Sequence, residues 1–210
     1  MTATSTVRSR TARSHRWRVV DIVVASVLGV ACGFLFIAWN VGYQGPSDLL
    51  TPLLPGVQGL VNGLWFIAGP LVALVIRKPG AALYGELLAA VVSALVGNQW
   101  GATVLISGLM QGIGAEVLFA VLGYRVWTWW SALLAGALAG VGASVYDLAL
   151  IPGLARSYAG SSASFATVYL IAQAVSGALL AGLLAWLLVR ALARTGVLAR
   201  FPAGRARHEG

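Results

Sequence analysis

Six long apolar segments constrain the fold of this sequence more than any other feature. They are Val19–Trp39, Gly59–Ile76, Ala81–Gly97, Thr103–Leu122, Trp129–Ile151 and Phe165–Val189. A helix needs roughly 20 residues to cross the ~30 Å core of a bilayer, so each segment is close to the required length and the third is the shortest. Only 10% of the residues are charged, against about 25% in soluble domains. The sequence therefore predicts an all-α integral membrane protein with six transmembrane helices.

The basic residues indicate how this bundle lies in the membrane. Short connections containing Gly, Pro, Asn or Gln make successive helices antiparallel. If both termini and the second and fourth connections lie on one side, that side holds every basic residue except Arg156. By the positive-inside rule we predict that both termini are cytoplasmic. The predicted domains are a basic tail at 1–18, the six-helix domain at 19–189 and a second basic tail at 190–210.

Several classes of protein are excluded. The first apolar segment is too long for a signal-peptide core and is not closed by an A-x-A cleavage site, so we expect it to be retained. The net charge of +8 lies in tails and connections, which indicates a membrane surface and not nucleic acid as the partner. The single cysteine, Cys32, lies in an apolar segment and offers no disulfide framework.

Catalytic residues are scarce. Both histidines, His15 and His208, fall in the polar tails, so we predict no membrane-embedded Ser–His pair, no metal site and no cofactor. The only lysine, Lys78, precedes Pro79, and no G-x-x-x-x-G-K-[ST] motif occurs. The chain is predicted not to be an enzyme. If ATP drives its activity, another subunit must hydrolyse the ATP.

Polar groups at membrane depth are the candidate ligand contacts. Carboxylates there are expensive, so we expect Glu86, Glu116 and Asp147 to face the bundle interior, near Asn62 and Gln173. Aromatic side chains near the predicted outer ends suit a flat cationic ring or an aminopyrimidine. The alternative is that these polar groups only hold helices together. The predicted substrate contacts are Trp39, Trp65, Glu86, Asn98, Gln99, Trp100, Gln111, Glu116, Tyr146 and Asp147.

We expect Glu86 and Glu116 to lie at similar depths on adjacent antiparallel helices, close enough to act on one ligand. Small residues also recur at four-residue spacing in the first segment, at Ala25, Gly29 and Gly33. Such a stripe allows close backbone approach, either to another helix of this bundle or to a partner protein.

Four short motifs resemble a known family: GLWFIAGP at 63–70, YGE at 84–86, GNQWG at 97–101 and QGIGAE at 111–116. They are similar to the YkoE-type substrate-binding (S) components of energy-coupling factor (ECF) transporters, assigned to thiamine or its hydroxymethylpyrimidine (HMP) precursor. The resemblance extends over about 18–189.

This resemblance implies a six-helix vitamin-binding protein of the bacterial plasma membrane. It would work with a membrane coupling protein and two cytoplasmic ATPases. It also implies that the stripe of Ala25, Gly29 and Gly33 contacts the coupling protein. Two other functions stay open: a self-sufficient proton-coupled carrier, and an intramembrane enzyme that uses Glu86 and Glu116 as an acid–base pair.

Overall fold

The computed structural model describes residues 15–149, 158 and 161–205, and all the regular secondary structure in this part of the chain is helical. The first half contains α1 (Val19–Gly42), the short α2 (Gln44–Leu50), a 3₁₀ segment (Val57–Phe66), α3 (Ala68–Ile76) and α4 (Ala81–Val96). A 3₁₀ turn (Gly101–Thr103) leads into α5 (Val104–Val121), which is followed by α6 (Trp129–Ala149) and α7 (Ala163–Ser176). A π-helical segment (Gly177–Leu183), α8 (Leu184–Arg194) and α9 (Pro202–Arg205) complete it.

The predicted apolar segments coincide with helical stretches. Five described stretches are long and apolar enough to cross a membrane: Val19–Gly42, Val57–Ile76, Gly101–Val121, Trp129–Leu148 and Ala163–Arg194. The remaining predicted segment, the third along the chain, corresponds to α4, which has only 16 residues. At 1.5 Å per residue α4 is about 24 Å long, which is shorter than the ~30 Å hydrocarbon core.

The core of the bundle is built around α3, in which every residue is buried. Small residues let the surrounding helices approach closely, as is typical where helices pack without a hydrophobic driving force between them. An added Cβ at Gly142 would overlap the backbone of Met110 in α5, and one at Gly140 would overlap the backbone of Gln173 in α7. These glycines fix α6 between its two neighbours.

Two stretches of irregular helix meet inside the bundle. The Ser176 hydroxyl, just before the π segment, accepts a hydrogen bond from Gly63 N at 2.9 Å and donates to Leu60 O at 2.5 Å. At membrane depth, backbone outside the α-helical pattern is tolerated where protein or a cavity surrounds it. Here the contact holds the 3₁₀ segment, with Asn62 and Trp65, against α7.

Both described ends of the chain lie at the same end of the bundle. Trp17 Nε1 donates to Pro79 O at 2.9 Å, and Lys78 Nζ donates to Arg16 O at 2.5 Å. The Lys78 ammonium also pairs with the buried Asp21 carboxylate, which binds Arg18 as well. Near the other terminus, Ala203 of α9 lies against the same end of α3. We call this end, which carries Arg16, Arg18, Arg77, Lys78 and Arg190, the basic end.

The predicted tails are partly outside the described residues. Residues 1–14 and 206–210 are not described, and neither is Arg156, the only basic residue predicted on the opposite side. The segment after residue 190 is more structured than a tail, because α8 continues to Arg194. Beyond it, Leu198 and Phe201 are buried against the bundle. Burial of these apolar side chains explains why the segment packs against the bundle.

Candidate functional site

A cavity lies between the helices at the end of the bundle opposite the basic end, which we call the cavity end. It contains about 610 Å³ of space free of atoms, including the open space at its mouth. Its walls come from α1, the 3₁₀ segment, α4, α5, α6 and α7. The residues that line it are Phe36, Asn40, Asn62, Trp65, Phe66, Ala90, Ser93, Trp100, Thr103, Val104, Ser107, Gly108, Gln111, Ala143, Tyr146, Asp147 and Gln173.

Three aromatic rings form a cluster at one side of this cavity. Trp65 and Trp100 meet edge to face with centroids 5.2 Å apart, and Tyr43 lies 5.0 Å from Trp65 and 5.7 Å from Trp100. Trp65 Nε1 donates to Asn40 Oδ1 at 2.8 Å, and Asn40 Nδ2 donates to Ser93 Oγ at 3.2 Å. These bonds fix the Trp65 ring, so the cavity has a rigid aromatic wall that a flat ligand could stack against.

Asp147 lies at the centre of a polar network on another wall. Its Oδ2 accepts hydrogen bonds from Tyr169 Oη at 2.7 Å and from Gln173 Nε2 at 2.9 Å. Tyr169 in turn accepts a bond from Asn62 Nδ2 at 3.1 Å. The network joins α6, α7 and the 3₁₀ segment, and it holds a carboxylate on the cavity wall.

Two buried polar atoms beside this network have no hydrogen-bond partner among the described residues: Tyr146 Oη and Gln173 Oε1. Both residues line the cavity. Buried polar groups are almost always paired, so each such atom requires an explanation. A hydroxyl that can donate and an amide oxygen that can accept are the groups that would bind a polar ligand.

Gln111 lines the cavity and connects it to Glu86. One orientation of its amide satisfies every neighbour: the nitrogen donates to Trp65 O at 3.0 Å and to Glu86 Oε1 at 3.2 Å, and the oxygen accepts from Ser107 Oγ at 2.8 Å. The other Glu86 oxygen accepts from Gly69 N at 2.6 Å. Glu86 is fully buried and lies outside the residues that line the cavity. Its position suits a group that orients Gln111.

Glu116 lies away from the cavity and caps the start of α4. Its Oε1 accepts from Gly80 N at 2.6 Å and from Tyr124 Oη at 2.8 Å, and its Oε2 accepts from Ala82 N at 2.9 Å and Leu83 N at 3.3 Å. The first N–H groups of a helix have no partner within the helix, and the helix dipole favours an anion there. Burial raises the pKa of the Tyr124 phenol, as does its bond to Glu116, so Tyr124 is a donor at neutral pH.

Glu86 and Glu116 therefore each have their own donors, and the structure does not bring them together on one ligand surface. Three other predicted contacts lie near the cavity but not on its wall. Trp39 Nε1 donates to Val61 O at 2.9 Å, Gln99 Nε2 donates to Tyr43 Oη at 2.8 Å, and Asn98 Oδ1 accepts from Trp100 N at 2.8 Å. Gln99 and Asn98 thus contact the aromatic cluster, and Trp39 contacts the 3₁₀ segment. The predicted residues that do line the cavity are Trp65, Trp100, Gln111, Tyr146 and Asp147.

The small-residue stripe of α1 faces α4 inside the chain. Ala25, Gly29 and Gly33 are buried. An added Cβ at Gly29 would lie 3.0 Å from Leu88, and one at Gly33 would lie 2.5 Å from Val92. This is the internal-packing alternative. In this conformation the three residues are buried within the chain, and their contact with a coupling protein stays a prediction.

Several wall residues were not among the predicted contacts: Phe36, Asn40, Ser93, Thr103 and Ser107, together with Asn62 and Gln173, which the sequence marked only as buried polar groups. Phe36 and Asn40 lie one turn apart on α1 and so share a helix face. An Asn four residues after an apolar position, next to Trp39, is a signal that could have identified this wall.

The chain is similar to known transport proteins over most of its length. Residues 20–142 match the family described as the permease component of ABC-type cobalt transport systems. The chain is 34% identical over 182 residues to the HMP/thiamine permease protein YkoE of Bacillus subtilis (strain 168), and the match covers 87% of each. The chain belongs to the YkoE family. This confirms the resemblance carried by the four motifs.

A solved structure agrees with this membership. The crystal structure of an S component of an ECF transporter matches with a TM-score of 0.81 and 32% identity, covering 92% of this chain and 94% of that chain. The chain is thus an ECF S component, a transport protein that passes several times through the bacterial plasma membrane. The family description mentions cobalt, yet the part of the chain described here has no group of three His, Cys, Asp or Glu side chains that could hold a metal ion.

Proposed function

We propose that this S component captures thiamine or a hydroxymethylpyrimidine-type precursor in the cavity for ATP-driven uptake. The observation that carries the proposal is the wall formed by Tyr146, Asp147 and Gln173, where a carboxylate lies beside two buried polar atoms that lack partners among the described residues. Both residues that carry these atoms line the cavity, so a polar group of the ligand is the partner that we propose for these atoms. The related B. subtilis protein is named as an HMP/thiamine permease, which supports this choice of ligand.

The chemistry of the two walls matches an aminopyrimidine. Such a ring can stack on the Trp65 or Trp100 rings, and its exocyclic amino group can donate to Gln173 Oε1 or to the Asp147 carboxylate. The Tyr146 hydroxyl can donate to a ring nitrogen. The negative charge of Asp147 also suits the cationic thiazolium ring of thiamine, because hydrogen bonds and contacts to an ionised group are stronger than neutral ones.

We further propose that the chain crosses the membrane six times, with both termini in the cytoplasm and the cavity end facing outward. The support is that both described ends lie at the basic end, together with Arg77 and Lys78. A reporter that is active only outside the cytoplasm, fused after Gly210, should give no signal. A strong signal would contradict both the six-helix count and the outward cavity.

Calorimetry on the purified protein tests the substrate. Thiamine and hydroxymethylpyrimidine should bind, and the thiazole half alone should not. Oxythiamine, in which a carbonyl replaces the amino group, should bind at least about tenfold more weakly, since a site built to accept a donated hydrogen rejects a ligand that lacks it. Equal binding of thiamine and oxythiamine would show that the site does not recognise the amino group. If neither compound bound, the proposed substrate class would be wrong.

Uptake measurements test the energy source. We propose that a membrane coupling protein and two cytoplasmic ATPases complete the transporter. Cells that express the chain without these subunits should bind labelled thiamine but not accumulate it. Accumulation that persists without the ATPases and collapses when the proton gradient is removed would instead identify a self-sufficient proton-coupled carrier.

A further inference from the structure

A second cavity lies at the basic end, between the end of α3, the turn before α6, and α8. Three arginine side chains line it, those of Arg77, Arg190 and Arg194, with the rings of Trp127 and Trp186. Among the residues described, no acidic side chain lines this cavity. Three cations around one cavity give its wall a positive potential, which attracts anions.

The arginines are held in place by neighbouring groups. Arg77 ends α3 in a left-handed conformation, with φ of 56°, which is uncommon for a residue other than glycine. Its Nε donates to Leu74 O at 3.1 Å, and its guanidinium lies 5.8 Å from the centroid of Trp127. Arg190 lies over Trp186 at 4.6 Å. A guanidinium on a ring face uses its flat surface in that contact, and its N–H donors lie in its plane.

The surface next to the cavity favours a lipid over a soluble anion. Leu187, Arg190 and Arg194 lie at positions i, i+3 and i+7 of α8 and so share one face of the helix. Leu187 is exposed, as are Arg190 and Arg194. An apolar side chain followed by two cations on one exposed face matches an acyl chain followed by a phosphate. Tryptophans beside this transition are typical of the headgroup level of a membrane.

We propose that the cavity at the basic end binds the phosphate headgroup of an anionic phospholipid. Arg190 and Arg194 contact the phosphate, Arg77 contributes to the positive potential, and the acyl chains lie along the exposed leucines of α8. Basic cavities between membrane helices are suited to anionic headgroups. This site lies at the opposite end of the bundle from the proposed vitamin cavity, so it does not depend on the identity of the vitamin.

Native mass spectrometry of the full chain in detergent tests this proposal. Phosphatidylglycerol is titrated against phosphatidylcholine with the same acyl chains, and glycerol phosphate is the soluble competitor. The double variant Arg190→Gln/Arg194→Gln removes two charges from the cavity. Its matched control, Arg200→Gln/Arg205→Gln, removes two charges from exposed positions outside the cavity wall. The melting temperature of each variant reports whether it folds.

We expect the wild-type chain to bind phosphatidylglycerol at least about tenfold more tightly than phosphatidylcholine, with no displacement by glycerol phosphate. The cavity variant should lose this preference, and the control variant should keep it. Equal binding of the two lipids by the wild-type chain would overturn the proposal, even if the variants did not fold. Equal losses in both double variants would show only a diffuse attraction, and displacement by glycerol phosphate would show a soluble ligand. Either result would reject a lipid site.

Discussion

The two ends of the bundle differ in how their polar side chains are paired. At the basic end, the Asp21 carboxylate is bound by Arg18 and Lys78, and the Glu116 carboxylate is bound by the first N–H groups of α4 and by Tyr124. At the cavity end, Tyr146 Oη and Gln173 Oε1 have no partner within the described residues, beside the Asp147 carboxylate.

The carboxylates of the basic end hold the fold, whereas the wall of the cavity has polar atoms left for a ligand. Both carboxylate oxygens of Asp21 and of Glu116 accept internal bonds, so these groups contribute to stability and have little capacity left for a substrate. Asp147 also accepts two internal bonds, but it lies on the cavity wall beside the two atoms without partners. A cavity wall with unsatisfied donors and acceptors gains bonds only when a ligand enters. Substitutions at the basic end should therefore change the stability of the protein, and substitutions at the cavity end should change its affinity for substrate.

The largest effect is expected for Glu116→Ala. The variant leaves Gly80 N, Ala82 N and Tyr124 Oη without their acceptor, and we expect it to lower the free energy of unfolding by about 3 kcal/mol. Unfolding in mixed micelles with increasing SDS measures this loss. Glu116→Gln, which keeps one acceptor oxygen, should lose less. Normal stability in Glu116→Ala combined with lost thiamine binding would make Glu116 a ligand contact and break the comparison.

The next effect is expected for Asp147→Asn. The asparagine oxygen can still accept from Tyr169 and Gln173, so the substitution removes charge while leaving the network in place. We expect thiamine to bind about 30-fold more weakly, equivalent to ~2 kcal/mol, with little change in melting temperature. Asp48→Asn is the matched control, because Asp48 is exposed on α2 outside the cavity. Unchanged affinity in Asp147→Asn would remove the carboxylate from the site.

The smallest effect is expected for Glu86→Gln. Glu86 lies behind the cavity wall and acts through Gln111, so we expect affinity to fall only about threefold, or ~0.7 kcal/mol. Gln111→Leu removes the wall amide itself and should weaken binding further. Calorimetry on both variants decides the order. A larger loss in Glu86→Gln than in Gln111→Leu would mean that Glu86 contacts the ligand directly.

The length of the apolar segments was sufficient to predict where the long helical stretches lie, but not the short helices α2 and α9. The predicted segment Ala81–Gly97 is α4 at Ala81–Val96, because Gly80 and Gly97 adopt positive φ angles and end the helix at both sides. The irregular backbone was not predictable in this way, since the 3₁₀ segment and the π segment depend on tertiary contacts such as that between Gly63 and Ser176.

The site was only partly predictable for a similar reason. Depth and polarity identified Gln111 and Asp147, which line the cavity. The same criteria also selected Glu116, since a sequence does not show that the start of α4 presents its N–H groups to that carboxylate. Asn40 was missed because its role depends on contacts with Trp65 and Ser93, which are distant along the chain. The stripe of α1 was ambiguous until α4 was seen to fill it.

A structure of the chain with thiamine bound would show whether the cavity holds the vitamin. We expect the aminopyrimidine ring to lie in the cavity, stacked against Trp65 or Trp100, with its amino group or ring nitrogen within hydrogen-bond distance of Tyr146, Asp147 or Gln173. We also expect Glu116 to keep its bonds to the start of α4. A ligand bound outside this cavity, or one held by Glu116 with α4 uncapped, would contradict the account.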